Sequence, residues 1–309
     1  MTSSDSSVTL TTGDCEATVD LHGGGISHLT WRGLDMVEGY GRPGEPTTAP
    51  LTANAVLAPW PNRTADGRFT VDGDIHQLTI TEPARNTALH GFVTGQRWTV
   101  AAQETGTLTL TLDPGPQPGW PWPLHLTLTY TVDDDGLAAV LTVRNDSSAT
   151  APVACGFHLY PSALGAATDE CRLLVPEHTV IPLDGRGLPT GPAETDRGVL
   201  PAGTNPLAGR DLDHCLQLTG EAPGEFSLVR PDGGGVVLRT SPEFRWFQVF
   251  TPGDRTALPY PGRPDGRAVA VEPMTAPPDA LNSGDGLARL PPGTGLTCSW
   301  VITVIPPAG

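Results

Sequence analysis

Two acid–base residues, Glu272 and His158, stand in short motifs far apart in the chain, and their types suit proton transfer. Glu272 lies in Arg267-Ala-Val-Ala-Val-Glu272-Pro273-Met-Thr-Ala-Pro-Pro-Asp279-Ala-Leu-Asn282. The small apolar residues 268–271 read as a buried strand. Pro273 removes a backbone donor and is expected to end that strand, leaving the carboxylate at its tip. A carboxylate carried by a buried strand is costly to desolvate unless it is paired or used. A general base is often mounted this way, on a rigid element opening into a cleft. Taken alone, the segment also suits a salt-bridged glutamate at a strand end. His158 sits in Gly156-Phe157-His158-Leu-Tyr160-Pro161. Imidazole titrates near neutral pH and can serve as acid or base. The alternative is a core histidine hydrogen-bonded to backbone.

Further motifs precede these two. Asn54-Ala-Val-Leu-Ala-Pro-Trp60-Pro-Asn62-Arg63 leads to Asn86-Thr-Ala-Leu-His90-Gly91-Phe92, and Leu212-Asp213-His214-Cys215-Leu216 lies between the His158 and Glu272 segments. In this collinear order the motifs resemble those of the aldose 1-epimerase (galactose mutarotase) family, over nearly the whole chain. The resemblance implies a large antiparallel β-sandwich and an isomerase that interconverts the α and β anomers of a free aldohexose. It also implies roles. Glu272 aligns with the general base that takes the O1 proton, and His158 with the general acid that protonates ring oxygen O5. Arg63, His90 and Asp213 align with residues that bind sugar hydroxyls, with Asp211 as a nearby alternative to Asp213. No cofactor or metal is implied. Trp60, Trp98, Phe157 and Trp246 are candidates for an apolar floor under the sugar. After Tyr160 the chain runs Pro161-Ser-Ala-Leu-Gly165 rather than the Phe-Asn-Leu of the better-known mutarotases, so the sugar preference stays open. Two other functions fit similar motifs. One is a hexose-6-phosphate 1-epimerase, with Arg68, Arg85 and Arg97 as candidate phosphate ligands. The other is a noncatalytic carbohydrate-binding protein.

Composition removes several classes. The formal net charge is −16 and no basic face is apparent, which argues against nucleic acid as partner. All 18 basic residues are arginine, so Schiff-base chemistry, pyridoxal phosphate attachment and a lysine-dependent phosphate loop are ruled out. The cysteines Cys15, Cys155, Cys171, Cys215 and Cys298 are odd in number and form no C-x-x-C pair. That points to neither zinc nor a disulfide framework, and is expected of reduced thiols in a cytoplasmic protein. The first residues lack the basic start and apolar run of a signal peptide, and no stretch is long and apolar enough for a membrane helix. There is no G-x-S-x-G elbow, H-E-x-x-H pair or dinucleotide fingerprint. A monosaccharide is the expected partner, and the chain is expected to be a monomer or homodimer.

The elements that must hold these residues are strands. Leu124–Val132 alternates Leu124, Leu126, Leu128, Tyr130 and Val132 with His125 and three threonines, the pattern of a half-buried antiparallel strand. Residues 107–112, 137–143, 236–240, 243–250 and 298–305 alternate likewise. Asp133-Asp-Asp-Gly136, Pro231-Asp-Gly-Gly-Gly235 and Pro291-Pro-Gly293 mark turns between them. No amphipathic helix of a dozen residues is apparent, so sheet must pack on sheet. With no linker, residues 1–309 read as one domain. The long Gly- and Pro-rich connection 182–210 is expected to form a functional rim or a mobile excursion.

Overall fold

The structure is a computed structural model describing residues 6–42, 48–253 and 258–307. Antiparallel sheets dominate it, as the alternating segments require. The largest has nine strands, in the order Thr99–Glu104, Thr107–Leu112, Leu124–Val132, Gly136–Asn145, Gly295–Ile305, Gly235–Thr240, Glu225–Val229, Arg172–Val175 and Gly203–Pro206. A second sheet has six: His178–Ile181, Asp213–Leu218, Trp246–Phe250, Ala270–Met274, Gly156–Phe157 and Val56–Leu57. Among the described residues these are joined by a four-stranded sheet from Ser7–Thr12 to Leu34–Asp35 and three two-stranded pairs. Among the described residues the one α-helix is a single turn, Ala280–Ser283.

Alternation decides which side of each strand is buried. In Leu124–Val132 the residues Leu126, Leu128 and Tyr130 are fully buried, while the threonines between them are partly or wholly exposed. They pack in one continuous core with Leu216, Leu218, Phe247, Val249 and Val271 from one face of the six-stranded sheet. The other face of that sheet carries the polar residues. Its strands are in a register that sets Ile181 opposite Cys215, Cys215 opposite Gln248, and Gln248 opposite Glu272. Paired residues in a ladder project to the same side, so these form one transverse row.

One expectation is corrected here. The Glu272 strand does not stop at Pro273; it runs Ala270–Met274, with Pro273 paired to Phe247. The ladder explains the tolerance. Val271 N–H donates to Leu159 and Thr275 N–H to Cys155, so Pro273 falls midway on that edge, where its missing N–H costs one rung. Glu272 is therefore held from both sides in a strand interior rather than at a frayed end. The 243–250 strand begins at Trp246, after a turn at 242–243.

The connection 182–210 is ordered by local bonds. Leu183 bridges Pro189, Glu194 bridges Val180, and Gly203–Pro206 joins the edge of the nine-stranded sheet. All five cysteines are buried free thiols. No helix among the described residues is long and apolar enough to cross a membrane.

Candidate active site

His158 follows the short strand Gly156–Phe157, which pairs on one side with the Glu272 strand and on the other with Val56–Leu57. Gly156 opposite Met274 puts His158 opposite Glu272. Its Nε2 lies 3.3 Å from Glu272 Oε1. Asn54 pins the backbone here: its Oδ1 accepts the Tyr160 N–H, its N–H donates to the His158 carbonyl, and its Nδ2 donates to Ile26 and Glu38 carbonyls. Tyr160 stacks on the imidazole at 5.2 Å.

Both acid–base groups are almost fully buried, at 7% and 2% exposure. Burial, reinforced by Asp213 and opposed by Arg63, pushes the Glu272 carboxyl well above the usual range. Burial pushes His158 down to about 4, with Arg63 adding to the effect. An imidazole that would titrate near neutral pH on its own is thus kept neutral here by burial. The pair still holds one proton, because a neutral acid beside a neutral imidazole has the same proton count as the carboxylate–imidazolium pair. Low dielectric favours the neutral arrangement.

His90 stands against this pair, its ring 5.3 Å from that of His158 and edge-on to it. It follows the strand Thr87–Leu89, which pairs with Arg63–Ala65. Its backbone is left-handed (φ 62°), and Gly91 after it has φ 72°. A Cβ at Gly91 would sit 1.9 Å from the Ala58 carbonyl oxygen, so only glycine allows this crossing. His90 and Asn62 clasp each other: the His90 N–H donates to the Asn62 carbonyl, and the Asn62 N–H donates to His90 Nδ1. Nδ1 is therefore an acceptor, and in the neutral ring the proton is on Nε2. Burial, His158 and Arg63 all keep this imidazole neutral. His90 is a neutral donor facing the acid–base pair.

One donor atom each from His90, His158 and Glu272 lies within 4.8 Å of the others, a spacing that a divalent cation could span. The chemistry of His90 fits such an ion poorly. A metal-bound histidine donates its remote N–H to an acceptor. Here the remote nitrogen already receives an N–H, so Nε2 carries the proton rather than a free lone pair.

A polar chain leads away from Glu272. Gln248, its cross-strand neighbour, donates Nε2–H to Asp213 Oδ1 at 2.6 Å, and its Oε1 receives Asn62 Nδ2 at 3.3 Å. Asp213 rather than Asp211 is thus joined to the row, and Asp211 lies 3.7 Å from Arg267. The Asn62 side chain accepts the Arg63 N–H. The Arg63 fork meets Glu82 through Nε and Nη2, at 2.8 and 3.0 Å. Thr87 also donates to Glu82. This leaves other N–H donors of the fork for a ligand.

The Arg63 strand is held by the far end of the Glu272 motif. Asp279 donates its N–H to the Arg63 carbonyl and accepts the Ala65 N–H on its side chain. The structure thus sets Glu272, His158 and His90 side by side, and links Asp213 and Arg63 to them through Gln248 and Asn62. Reading the sequence missed Gln248, Glu82 and the anchoring role of Asp279. Only Asp279 had a signal, its place in the Pro-Pro-Asp run.

Apolar residues flank the polar row on the same face. Ile181, Cys215, Trp246 and Met274 form one cluster, and Tyr40, Tyr160, Tyr260 and Ala270 belong to another. Of the four aromatic candidates for a floor, only Trp246 is on this face. Trp60, Trp98 and Phe157 are in the main core, so their assignment as floor is corrected. There Trp60 meets Phe92 and Trp120, and Phe157 meets Phe244 and Trp300.

The chain is similar to known proteins in sequence and fold. A family model described as aldose 1-epimerase matches residues 6–302. The uncharacterized protein YihR of Escherichia coli K12 is 29% identical over 289 residues, covering 93% of this chain and 89% of YihR. Among solved structures, the GalM/aldose epimerase homologue from C. elegans superposes with a TM-score of 0.83 at 18% identity, covering 97% of this chain and 98% of its own. The galactose 1-epimerase from Lactobacillus acidophilus gives 0.80 at 18% identity, covering 97% of this chain and 94% of its own. At such identities the structural likeness speaks for the galactose mutarotase-like fold.

Proposed function

The chain belongs to the aldose 1-epimerase family, and we propose that it interconverts the α and β anomers of a free aldohexose through Glu272 and His158. The observation that carries this reading is their 3.3 Å approach on one buried row. Two groups sharing one proton can remove it from one oxygen of a hemiacetal and supply it to the other.

In the reaction, a sugar lies against Trp246 with the O1–C1–O5 edge of its ring facing the two groups. Its hydroxyls hydrogen-bond the pair and favour its charged form. Glu272 as carboxylate takes the O1 proton, the C1–O5 bond breaks, C1=O1 forms, and His158 gives its proton to O5. The open aldehyde turns about C1–C2. The steps then reverse from the other face: O5 attacks C1, His158 recovers the O5 proton and Glu272 returns its own to O1. No atom or electron is gained or lost, so no cofactor takes part. His90 Nε2–H stabilises charge at the reacting oxygens. Asp213 and Arg63 bind ring hydroxyls and fix the sugar. Each positioned proton transfer contributes about 10²–10⁴ in rate.

A free sugar is favoured over a 6-phosphate by the setting of the arginines. Arg68 lies on the hairpin Arg68–Val71 and Asp74–Gln77, Arg97 bridges His22, and Arg85 lies 3.7 Å from Glu82. They stand on three separate elements, and Glu82 already offsets Arg63 and Arg85. The test is anomer exchange of freshly dissolved glucose and galactose, followed by NMR or polarimetry, with the corresponding 6-phosphates in parallel. Enhanced exchange of a free aldose, abolished in Glu272→Gln, is expected. Sugar binding with no enhancement of exchange would instead mark a noncatalytic binding protein.

A further inference from the structure

The connection after the edge strand His178–Ile181 makes a tight turn whose tip reaches the Arg63 wall. Asp184 N–H and the Leu188 carbonyl close it, and Asp184 Oδ1 accepts the N–H groups of Arg186 and Leu188. Asp184 is held below its ordinary value by these same bonds. The closed turn projects Arg186 onto the opposite elements. There its Nε donates to the Arg85 carbonyl at 2.9 Å, and its Nη2 to the Asn86 carbonyl at 2.9 Å and Asp66 Oδ1 at 2.7 Å. The next residue, Gly187 (φ 74°), is pressed against the fork. A Cβ there would lie 2.8 Å from Arg63 Nη1, 3.1 Å from Arg85 Nη1 and 3.2 Å from Arg63 Cδ.

We propose that Arg186 and Gly187 form a strap that positions Arg63, and through it sets the affinity for sugar. The inference rests on the reading of Arg63 as a hydroxyl-binding residue. Glu82 fixes one edge of the fork through Nε and Nη2. Nη1 donates to Asn62 Oδ1 at 3.4 Å, and Gly187 packs against the same end of the fork, limiting how far it can swing away from that bond. The strap spans from Ile181, the far end of the transverse row, to the wall that carries Asn62 and Arg63. Arg186 touches no substrate in this scheme; it holds Gly187 in place. Three charge-assisted bonds from one side chain, two of them to backbone carbonyls, suit that task. Gly187 suits this place on two counts: its φ is left-handed, and an added Cβ would have to push the Arg63 guanidinium aside.

The test is a double-mutant cycle. Arg186→Ala is expected to raise KM about tenfold, the effect of one mis-set charged hydrogen bond, with kcat within about twofold. The same change made in Arg63→Ala is expected to add nothing. Asp66→Ala removes one tether from the other partner and should shift KM in the same direction, and Gly187→Ala should raise it by displacing Arg63. Arg186 and Asp66 are 38% and 59% exposed in their side chains, so these variants keep the fold. Sugar dissociation constants measured in the Glu272→Gln background should follow the same order without relying on turnover. The strap is overturned if Arg63→Ala weakens binding while Arg186→Ala does not, or if the two effects add. If Arg63→Ala leaves binding unchanged, the role given to Arg63 falls and the strap with it. Loss of the acid–base assignment would show separately, as full activity in Glu272→Gln.

Discussion

His158 Nε2 faces Glu272 Oε1 across 3.3 Å, and Glu272 Oε2 has no hydrogen-bond partner among the described residues. A buried carboxylate oxygen without a partner is expensive in a finished structure, where nearly all such atoms are paired. Its natural partner is a group that comes and goes. The two residues are thus set as a pair open on one side, with the neutral donor of His90 beside them.

Replacing Glu272 by Gln keeps the shape and removes the titrating group. In the proposed mechanism kcat falls by about 10²–10⁴ or more, while sugar binding by calorimetry changes little. Parallel loss of binding and turnover would assign Glu272 to the binding of sugar rather than to proton transfer.

The pH profile follows from the opposed shifts. The pair carries one proton between the value for His158, about 4, and the raised value for Glu272. The kcat/KM of exchange, corrected for the spontaneous reaction, should fall on the acid side near pH 4, as His158 takes a second proton. It should fall on the alkaline side well above the ordinary carboxylate value of 4.5, as the shared proton is lost. An alkaline limb at that ordinary value would mean Glu272 is solvated and the account of its burial wrong.

Much of the scaffold was legible because a two-residue period leaves a mark in the sequence. Leu124–Val132 and its neighbours show which face is buried without any coordinates. The motif residues were legible as types, but their geometry came from register, which pairs residues far apart in the chain. Gln248 sits in an apolar strand and looks like an isolated polar residue until its pairing sets it beside Glu272. Glu82 becomes the Arg63 counter-ion only through folding. Pro273 misled because a proline stops a strand where a rung is needed, and sequence alone does not say which rungs an interior strand can forgo. The direction of the His158 shift depends on burial of both partners, which motif spacing does not carry.

Gln248 ties the walls of the hollow together, so Gln248→Leu should loosen both. The Asn62 amide and the Asp213 carboxylate each lose a partner. KM is expected to rise about tenfold with a smaller change in kcat, and stability to fall by about 1–3 kcal/mol in urea denaturation. An unchanged KM would show that Asp213 and Arg63 hold their positions without the bridge.

Gly91→Ala tests the backbone crossing that sets His90. The new Cβ meets the Ala58 carbonyl oxygen, itself the acceptor of the Phe92 N–H, and backbone on both sides cannot yield cheaply. The variant should lose more than about 2 kcal/mol, and its surviving activity should drop as His90 shifts. Gly95→Ala, where no atom lies within 4 Å of the added carbon, is the control and should stay within about 0.5 kcal/mol of the parent.

Stability itself should report the buried charge. Below the ordinary glutamate value of 4.5, Glu272 is protonated whether the chain is folded or unfolded, and its ionisation has no influence. As pH rises above that value, the unfolded chain releases this proton while the folded chain retains it. The folded state therefore loses relative stability until the raised folded value is passed. A glutamine at 272 cannot ionise, so Glu272→Gln should match the parent near pH 4.5 and become progressively more thermostable than it toward neutrality. The gap in Tm should be on the order of 2 °C or more. Burial disfavours protonation of His158 in both proteins, so below its ordinary value of 6.5 this group lowers the stability of each. Melting curves for the two proteins between about pH 4.5 and 8 decide the matter. Parallel curves would mean that the carboxyl ionises as freely in the fold as in the unfolded chain, leaving no basis for a shared proton at this site.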